Sequence, residues 1–190
     1  MVSLKLLGLS RNLCRRSFSA SRPGWVRQIQ ASEQLRRIDP TQTLLQEHPQ
    51  YASRLEQEHF TYGTLVNCLK LDPFYDDEQR VLWTVVSFGS GLENVHGTLH
   101  GGAISTVFDA TFSVLCAAAG VHGTTANLSV DFRRPVRIPS DLLVKCSITD
   151  IQNRKVFMEA ELLASQDSDD ISLLIAESKS LFITKRPPEH

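Results

Sequence analysis

The sequence predicts an α+β domain in which a curved antiparallel sheet wraps around one central helix. Residues 102–119 carry apolar side chains at helical spacing, and nearly every position is small or apolar, so this helix is expected to be buried on most sides. Two β-rich segments precede the helix, and four strand candidates with no second helix follow it. Because one helix cannot cover both faces of a flat sheet, the sheet must curl around it.

The strand candidates are placed by residue type and by alternation. Residues 61–71 and 81–88 are rich in β-branched and aromatic residues, and an acidic turn is predicted over residues 73–78 between them. After the helix, residues 125–133 alternate in polarity, with Ala126, Leu128, Val130 and Phe132 on one face. The remaining candidates are residues 142–151, 155–164 and 171–184.

The chain of 190 residues suits one domain with an N-terminal extension. Residues 1–30 are rich in Arg and Ser, contain no acidic residue and have interleaved leucines, a composition typical of a mitochondrial presequence. We therefore expect a mitochondrial protein, located in the matrix, although a merely basic tail would have a similar composition. Residues 31–59 are polar and interrupted by prolines, which predicts a helical arm or linker before a domain over residues 60–186.

Charge and cysteine content exclude several functions. The chain has 20 basic and 21 acidic residues, and six of the basic ones lie in residues 1–32, so residues 33–190 carry 14 against 21, a net charge of −7. An acidic body is a poor candidate for nucleic-acid binding. The four cysteines form no C-x-x-C pair and have no His at metal-ligand spacing, which predicts no metal site. The apolar run over residues 112–121 is too short to span a bilayer, so no transmembrane segment is expected.

Asp109 is the first candidate for chemistry. It is the only charged residue between His100 and Asp131, and it lies in the middle of the helix predicted to be buried. An unpaired buried carboxylate costs several kcal/mol, so such a residue needs a reason. It is expected either to act as a general base or nucleophile in a pocket, or to bond a neighbouring backbone group or cap a loop.

His100, Gly101 and Gly102 come directly before the same helix. Free backbone N–H groups at a helix N-terminus stabilise negative charge, and glycines allow a carbonyl to approach them closely. The tripeptide therefore predicts an oxyanion hole formed by Gly101 and Gly102, although the same residues also occur in simple tight turns. Gly101 and Asp109 are eight residues apart, about 12 Å along a helix at about 1.5 Å per residue. One carbonyl cannot readily contact both on one helix, so the spacing predicts a two-fold dimer with Gly101 of one subunit opposite Asp109 of the other.

Two segments carry a family resemblance. Residues 94–110 read NVHGTLHGGAISTVFDA and residues 125–135 read TANLSVDFRRP. Together they resemble the hotdog thioesterase superfamily, in particular its phenylacetyl-CoA-thioesterase-like branch. With the N-terminal composition, they are similar to mitochondrial long-chain acyl-CoA thioesterases of the carboxyl-terminal modulator protein type. The resemblance covers residues of about 60–186 and implies the hotdog fold and hydrolysis of acyl-CoA thioesters.

The resemblance also implies residue roles. Gly101 would donate the oxyanion-hole amide, Asp109 would activate water or act as the nucleophile, and Asn94 would hold the carbonyl or the water. Thr125 would hydrogen-bond the attacking group, and His100 would polarise the carbonyl or order the loop. No cofactor is expected, because CoA is part of the substrate and product.

The substrate and the assembly are predicted less closely. The hydrophobic side chains of Phe108, Phe112 and Leu115 favour fatty or aromatic acyl groups over small polar ones, and the family resemblance favours medium or long chains. The CoA phosphates need basic partners, and each candidate taken singly could also be a solvated surface residue. These candidates are Arg133, Arg134, Arg137, Arg154 and Lys155. Whether a homodimer pairs further into a dimer of dimers stays open.

Two other functions compete with hydrolysis. A non-catalytic binding or regulatory protein could keep the same fold, but a scaffold does not need a charge in its central helix. An enoyl-thioester hydratase needs a paired Asp and His, and His122 lies thirteen residues after Asp109, beyond the predicted helix end.

Overall fold

A computed structural model describes residues 22–42, 61, 65, 67–167 and 170–185. Its helices are α1 (Gly24–Ala31) and α2 (Gly101–Ala118), and its strands are β1 (Leu35–Arg37), β2 (Leu69–Asp76), β3 (Val81–Phe88), β4 (Gly123–Phe132), β5 (Ser140–Gln152), β6 (Lys155–Asp167) and β7 (Asp170–Thr184). The strands form one sheet in the order β1-β2-β3-β5-β6-β7-β4, and every neighbouring pair is antiparallel. The predicted α+β fold with one central helix is confirmed.

Helix α2 packs against the inner face of this sheet. Phe108, Phe112 and Leu115 have no exposed surface, and they belong to one buried apolar cluster with residues of β2, β3, β5, β6 and β7. Burying each such side chain contributes about 1.5–3 kcal/mol, so this layer supplies much of the core. The helix ends before Gly120, which has a φ of +71°. Helix α2 is long and apolar enough to cross a membrane, but more than half of it is buried inside the domain, as in the core helix of a soluble fold.

Strand β2 differs from its prediction. It runs over Leu69–Asp76, so the acidic turn predicted over residues 73–78 is wrong for residues 73–76. Pro73 is accommodated because β1 pairs only with residues 74–76, so the missing N–H of Pro73 faces no partner in β1. The true turn follows Asp76, whose carboxylate accepts the N–H groups of Glu78 and Gln79 at 3.0 and 2.8 Å.

The N-terminal elements extend the domain beyond its predicted start at residue 60. Helix α1 packs on the sheet face opposite α2, where Trp25 and Val26 are buried against Phe74, Val85 and Leu143. Helix α1 lies inside the segment predicted as a presequence, and β1 lies inside the predicted linker. These residues therefore belong to the folded unit. The predicted presequence up to residue 21, and residues 43–59 of the predicted linker, lie outside the described residues.

A buried carboxylate fixes this N-terminal segment to the sheet. Asp72 of β2 is 5% exposed, and its oxygens accept hydrogen bonds from Gln30 Nε2 and from Arg37 Nε, each at 2.9 Å. The Arg37 Nη2 atom is a further 2.7 Å contact to the same carboxylate. Because Gln30 belongs to α1 and Arg37 belongs to β1, the buried side chain of Asp72 connects both elements to β2.

Candidate active site

Asp109 and Thr125 form the centre of the site. The Thr125 hydroxyl donates a hydrogen bond of 2.8 Å to Oδ1 of Asp109, which joins α2 to the edge strand β4. Asp109 is half-buried in the single chain, so the prediction of a buried carboxylate is wrong at this position. The reason is that β4 is the last strand of the sheet and leaves this side of α2 uncovered. Among the described residues, Oδ2 of Asp109 has no hydrogen-bond donor and is free to accept one from water or substrate.

The N-terminus of α2 leaves one free amide. His100 is the N-cap, and its Nδ1 atom accepts the N–H of Gly102 at 2.9 Å. The N–H groups of Ala103 and Ile104 bond the His100 carbonyl at 2.9 and 3.3 Å. Within the described part of the chain, the N–H of Gly101 has no acceptor. The Gly102 amide is already used by the capping histidine, so its predicted contact with the oxyanion would require it to exchange this bond.

The ring of His100 has a structural role here. As acceptor of the Gly102 N–H, its Nδ1 atom must be the unprotonated nitrogen. The ring therefore orders the start of α2, which is the second of the two roles predicted for it. Only its Nε2 atom remains for a contact with a substrate.

The Gly101 backbone lies against an aromatic ring that the sequence did not single out. A Cβ placed on Gly101 would be 3.2 Å from Cζ of Phe132, at the end of β4. Alternation placed Phe132 on one face of the strand with Leu128 and Val130, but no sequence signal could show that it reaches Gly101. Phe132 nevertheless remains 54% exposed.

Asn94 lies in the loop before α2, and its side chain is engaged within that loop. Its Oδ1 atom accepts the N–H groups of His96 and Thr98 at 2.8 and 3.3 Å, and its Nδ2 atom donates to the Thr98 hydroxyl at 2.9 Å. Gly97 has a φ of +70°, which closes the turn. Asn94 therefore shapes the loop, and the predicted contact with a carbonyl or water would require it to exchange one of these bonds.

The basic residues predicted to bind CoA phosphates do not converge in one chain. Lys155 is paired with Ile183, and Ile183 with Thr124, at one end of the outer strands. Arg133 follows Phe132, at the other end of β4. Thr125 and Phe132 are seven residues apart in the strand, about 23 Å at about 3.3 Å per residue. The residues after β4 and those before β6 therefore cannot grip one phosphate group together within a chain.

Several of these cations also have protein partners. Arg133 binds the carboxylate of Glu177, whose hydrogen bond raises the pKa of the guanidinium. Arg134 donates to the carbonyl of Leu174 at 2.8 Å, and Arg154 donates to that of Thr184 at 2.6 Å.

Arg137 is placed differently from the other cations. Its backbone forms an antiparallel bridge with Thr98, in the loop that leads to His100. Arg137 is exposed, and its side chain has no hydrogen bond or ion pair with another described residue. Through this bridge, Arg137 lies beside the loop that leads to the free amide of Gly101.

The side chains predicted to line an acyl groove do not do so. Phe108, Phe112 and Leu115 face the sheet and are fully buried in the core. They are therefore not available to a ligand in the single chain, and their hydrophobicity does not inform the acyl preference. Among the described residues, no group of three or more His, Cys, Asp or Glu side chains could hold a metal ion.

The fold and the motif segments resemble those of known proteins. The sequence model of the Thioesterase superfamily matches residues 96–170, which contain α2, β4, β5 and β6 and the residues His100, Gly101, Asp109 and Thr125. Solved structures share the fold. The conserved protein PA5202 from Pseudomonas aeruginosa superposes with a TM-score of 0.54 at 21% identity, covering 70% of this chain and 98% of that one. The resemblance to the hotdog thioesterase superfamily is confirmed.

Curated relatives carry more specific names. Acyl-coenzyme A thioesterase THEM4 of Mus musculus is 31% identical over 114 residues, covering 60% of this chain and 47% of the relative. The THEM4 protein of Bos taurus is 34% identical, covering 59% and 44%. A Candida albicans relative named "Uncharacterized protein, mitochondrial" is 29% identical, covering 67% and 62%. The chain thus spans about half the length of the THEM4 relatives it matches.

Proposed function

We propose that the protein hydrolyses acyl-CoA thioesters to the free acid and CoA. The observation that carries this proposal is the hydrogen bond from Thr125 to Asp109, which orients one carboxylate oxygen and leaves the other free. The free N–H of Gly101 supplies the second part, a donor for the oxygen on which negative charge develops. The names of the THEM4 relatives support acyl-CoA as the substrate class.

The proposed reaction needs only these groups. Oδ2 of Asp109 accepts a proton from a water molecule while the water oxygen attacks the thioester carbonyl carbon. The carbonyl oxygen becomes an oxyanion, which the Gly101 N–H stabilises at the helix N-terminus. The intermediate then collapses, the C–S bond breaks, and the CoA thiolate takes up the proton that Asp109 holds.

Asp109 could instead attack the carbonyl itself and form an anhydride that water hydrolyses afterwards. The two routes differ in the origin of one oxygen atom. A single turnover in H₂¹⁸O labels only the released acid if water attacks directly. The covalent route puts ¹⁸O into the Asp109 carboxylate when water opens the anhydride at the protein carbonyl, which peptide mass spectrometry detects.

The two halves of the site are proposed to come from two subunits. Gly101 and Asp109 lie on one continuous helix, separated by about 12 Å at about 1.5 Å per residue. The carbonyl oxygen must lie about 3 Å from the Gly101 nitrogen, while the carbonyl carbon must be within reach of Asp109 directly or through one water molecule. An antiparallel second copy of α2 would bring Gly101 of each subunit to Asp109 of the other, which makes two equal sites.

The open edge of the sheet supports this assembly. Strand β4 pairs with β7 on one side, and its other side has no partner among the described residues. An exposed, unpaired edge strand is a ready template for pairing with a second chain. Pairing of β4 with its copy would continue the sheet and cover the half-exposed face of α2 at Asp109.

Hybrid dimers test the shared site. A Gly101→Val chain and an Asp109→Asn chain are co-expressed with different tags, and the mixed dimers are isolated. If the sites are shared, each mixed dimer has one intact site and one doubly altered site, so it regains about half of the parent activity while both pure dimers stay inactive. If each chain forms its own site, mixed dimers are as inactive as the pure ones.

The preferred acyl group is proposed from the family resemblance. Medium or long fatty acyl groups are favoured by the family resemblance of residues 94–135. The test is thiol release from acetyl-, hexanoyl-, palmitoyl-, oleoyl- and phenylacetyl-CoA by the protein lacking residues 1–21, which keeps α1. Turnover of fatty acyl-CoA above acetyl-CoA supports the proposal, whereas a folded protein that cleaves none of the five contradicts it.

A mitochondrial location is proposed from the basic, acid-free residues 1–21 and from the name of the Candida albicans relative. Within mitochondria, we propose the matrix. Protease protection after selective rupture of the outer membrane tests this: the protein stays protected in the matrix, whereas digestion at that step contradicts the proposal.

A further inference from the structure

The exposed ring of Phe132 lies next to the proposed oxyanion site. Its Cζ, Cε1 and Cε2 atoms are 3.2, 3.4 and 3.8 Å from the position a Cβ would occupy on Gly101. Phe132 is nevertheless 54% exposed, and only Val95 joins it as a large exposed hydrophobic residue in the described part of the chain. An aromatic ring that is packed on one side and open on the other leaves apolar surface for another molecule to cover.

We propose that Phe132 seats the first carbons of the acyl chain and thereby selects apolar acyl groups; this inference rests on the proposed hydrolysis. A thioester oxygen on the Gly101 N–H places the carbonyl carbon next to the residue on which the ring packs. The carbons that follow the carbonyl are then within reach of the ring. An acetyl group has only one such carbon, whereas a hexanoyl group can cover the exposed ring face.

The location of the ring explains why this selection acts on the acyl part near the thioester. Phe132 is on the helix-facing side of β4, whereas its neighbours Asp131 and Arg133 are charged and engage Glu177 or each other. The ring is therefore an apolar surface with charged groups on either side along the chain. Truncating it removes apolar contact without removing either the Gly101 amide or the Asp109 carboxylate.

The close approach to Gly101 adds a second consequence. A Gly101→Ala change would place its Cβ 3.2 Å from the ring, so the ring would have to move by a few tenths of an ångström. In a Phe132→Leu background that conflict is relieved. The two changes are therefore expected to couple: the double variant loses less than the product of the two single losses in kcat/KM for hexanoyl-CoA.

The test compares acyl groups across matched variants. Phe132→Leu and Phe132→Ala are measured beside Phe157→Leu, a half-exposed phenylalanine on the sheet face opposite α2. The Phe132 variants are expected to lose about tenfold to a hundredfold in kcat/KM for hexanoyl-CoA, and less than about threefold for acetyl-CoA. Phe157→Leu should leave the hexanoyl-to-acetyl ratio unchanged.

Three results would overturn the inference. An unchanged hexanoyl-to-acetyl ratio in folded Phe132 variants shows that the ring does not contact the acyl chain. Conversion of dimers to monomers in sedimentation, with loss for all substrates alike, makes Phe132 an interface residue. Purely multiplicative losses in the Gly101→Ala, Phe132→Leu pair refute the coupling. A parent protein that cleaves no acyl-CoA is a different failure, because it removes the proposed hydrolysis itself.

Discussion

Replacing Thr125 by Val tests whether the orientation of Asp109 matters for activity. Valine keeps the β-branched shape that suits an edge strand, and it removes only the hydroxyl that donates to Oδ1 of Asp109 at 2.8 Å. A hydrogen bond to a charged group contributes about 1.5–3 kcal/mol. Because Thr125 is exposed and Asp109 is half-buried, water replaces part of this contribution and the lower end applies. At about 1.4 kcal/mol per factor of ten, kcat should fall by about tenfold.

The assay is steady-state thiol release from the best acyl-CoA of the panel. Thr124→Val is the matched control, because it is the adjacent exposed threonine and its hydroxyl has no hydrogen bond to another described residue. Thr125→Ser, which keeps a hydroxyl, should stay within about threefold of the parent, since the bond is retained. Both valine variants should unfold within about 0.5 kcal/mol of the parent, as expected for surface positions. Activity of Thr125→Val equal to that of Thr124→Val would refute the reasoning.

Three further predictions concern the scaffold. Removing residues 1–30 should lower the free energy of unfolding by about 3–5 kcal/mol relative to removing residues 1–21, because Trp25 and Val26 leave the core; denaturant unfolding measures this, and equal stability contradicts the packing of α1. Arg37→Ala should cost about 1–3 kcal/mol in the same assay, because it removes both guanidinium nitrogens that contact the buried carboxylate of Asp72; no loss would show that Arg37 is dispensable. Burial, and then the neighbouring thiol of Cys116, raises the pKa of Cys146 well above its ordinary value, so Cys146 should resist maleimide in the native protein at pH 8, and rapid labelling contradicts this. Since this folded-state pKa is raised, the contribution of the Cys146 thiol to stability is present below the unfolded thiol pKa of about 8.5 and is lost as the pH rises above it. The free energy of unfolding should therefore fall more steeply with rising pH in the parent than in Cys146→Ala.

The residue types and the spacing of apolar residues located two elements well. The strand predicted over residues 81–88 is β3, and the helix predicted over residues 102–119 is shifted by one residue from α2. Both have a residue pattern that only one kind of element satisfies. Residues 69–76 were harder to assign, because Pro73 and two aspartates indicate a turn unless it is known that the neighbouring strand ends beside Pro73.

The N-terminal helix was not predicted because one composition suits two structures. Residues 24–31 combine Trp25, Val26 and Ile29 with a basic residue and no acid, which fits both an amphipathic presequence and a helix packed on a sheet. Only the buried contacts with Phe74 and Leu143 distinguish the two.

The sequence predicted which residues form the site better than it predicted the contacts among them. The sequence indicated Asp109 as an unusual charge, and the family resemblance indicated Thr125, which the structure brings to 2.8 Å from it. The use of the Gly102 amide by His100 depends on a side-chain rotation, and the contact of Phe132 with Gly101 depends on the inclination of β4 against α2. Neither feature leaves a pattern in the sequence.

The central claim is that Asp109 performs the chemistry of thioester hydrolysis. The most direct measurement is kcat of Asp109→Asn on the preferred acyl-CoA, with the protein lacking residues 1–21 and with an oligomeric state verified to equal that of the parent. The amide has nearly the same shape and can still accept the Thr125 hydrogen bond, but it cannot take up a proton. A loss of at least about a hundredfold is predicted. Activity equal to that of the parent would contradict the account, and no activity in either protein would favour a binding role for this fold.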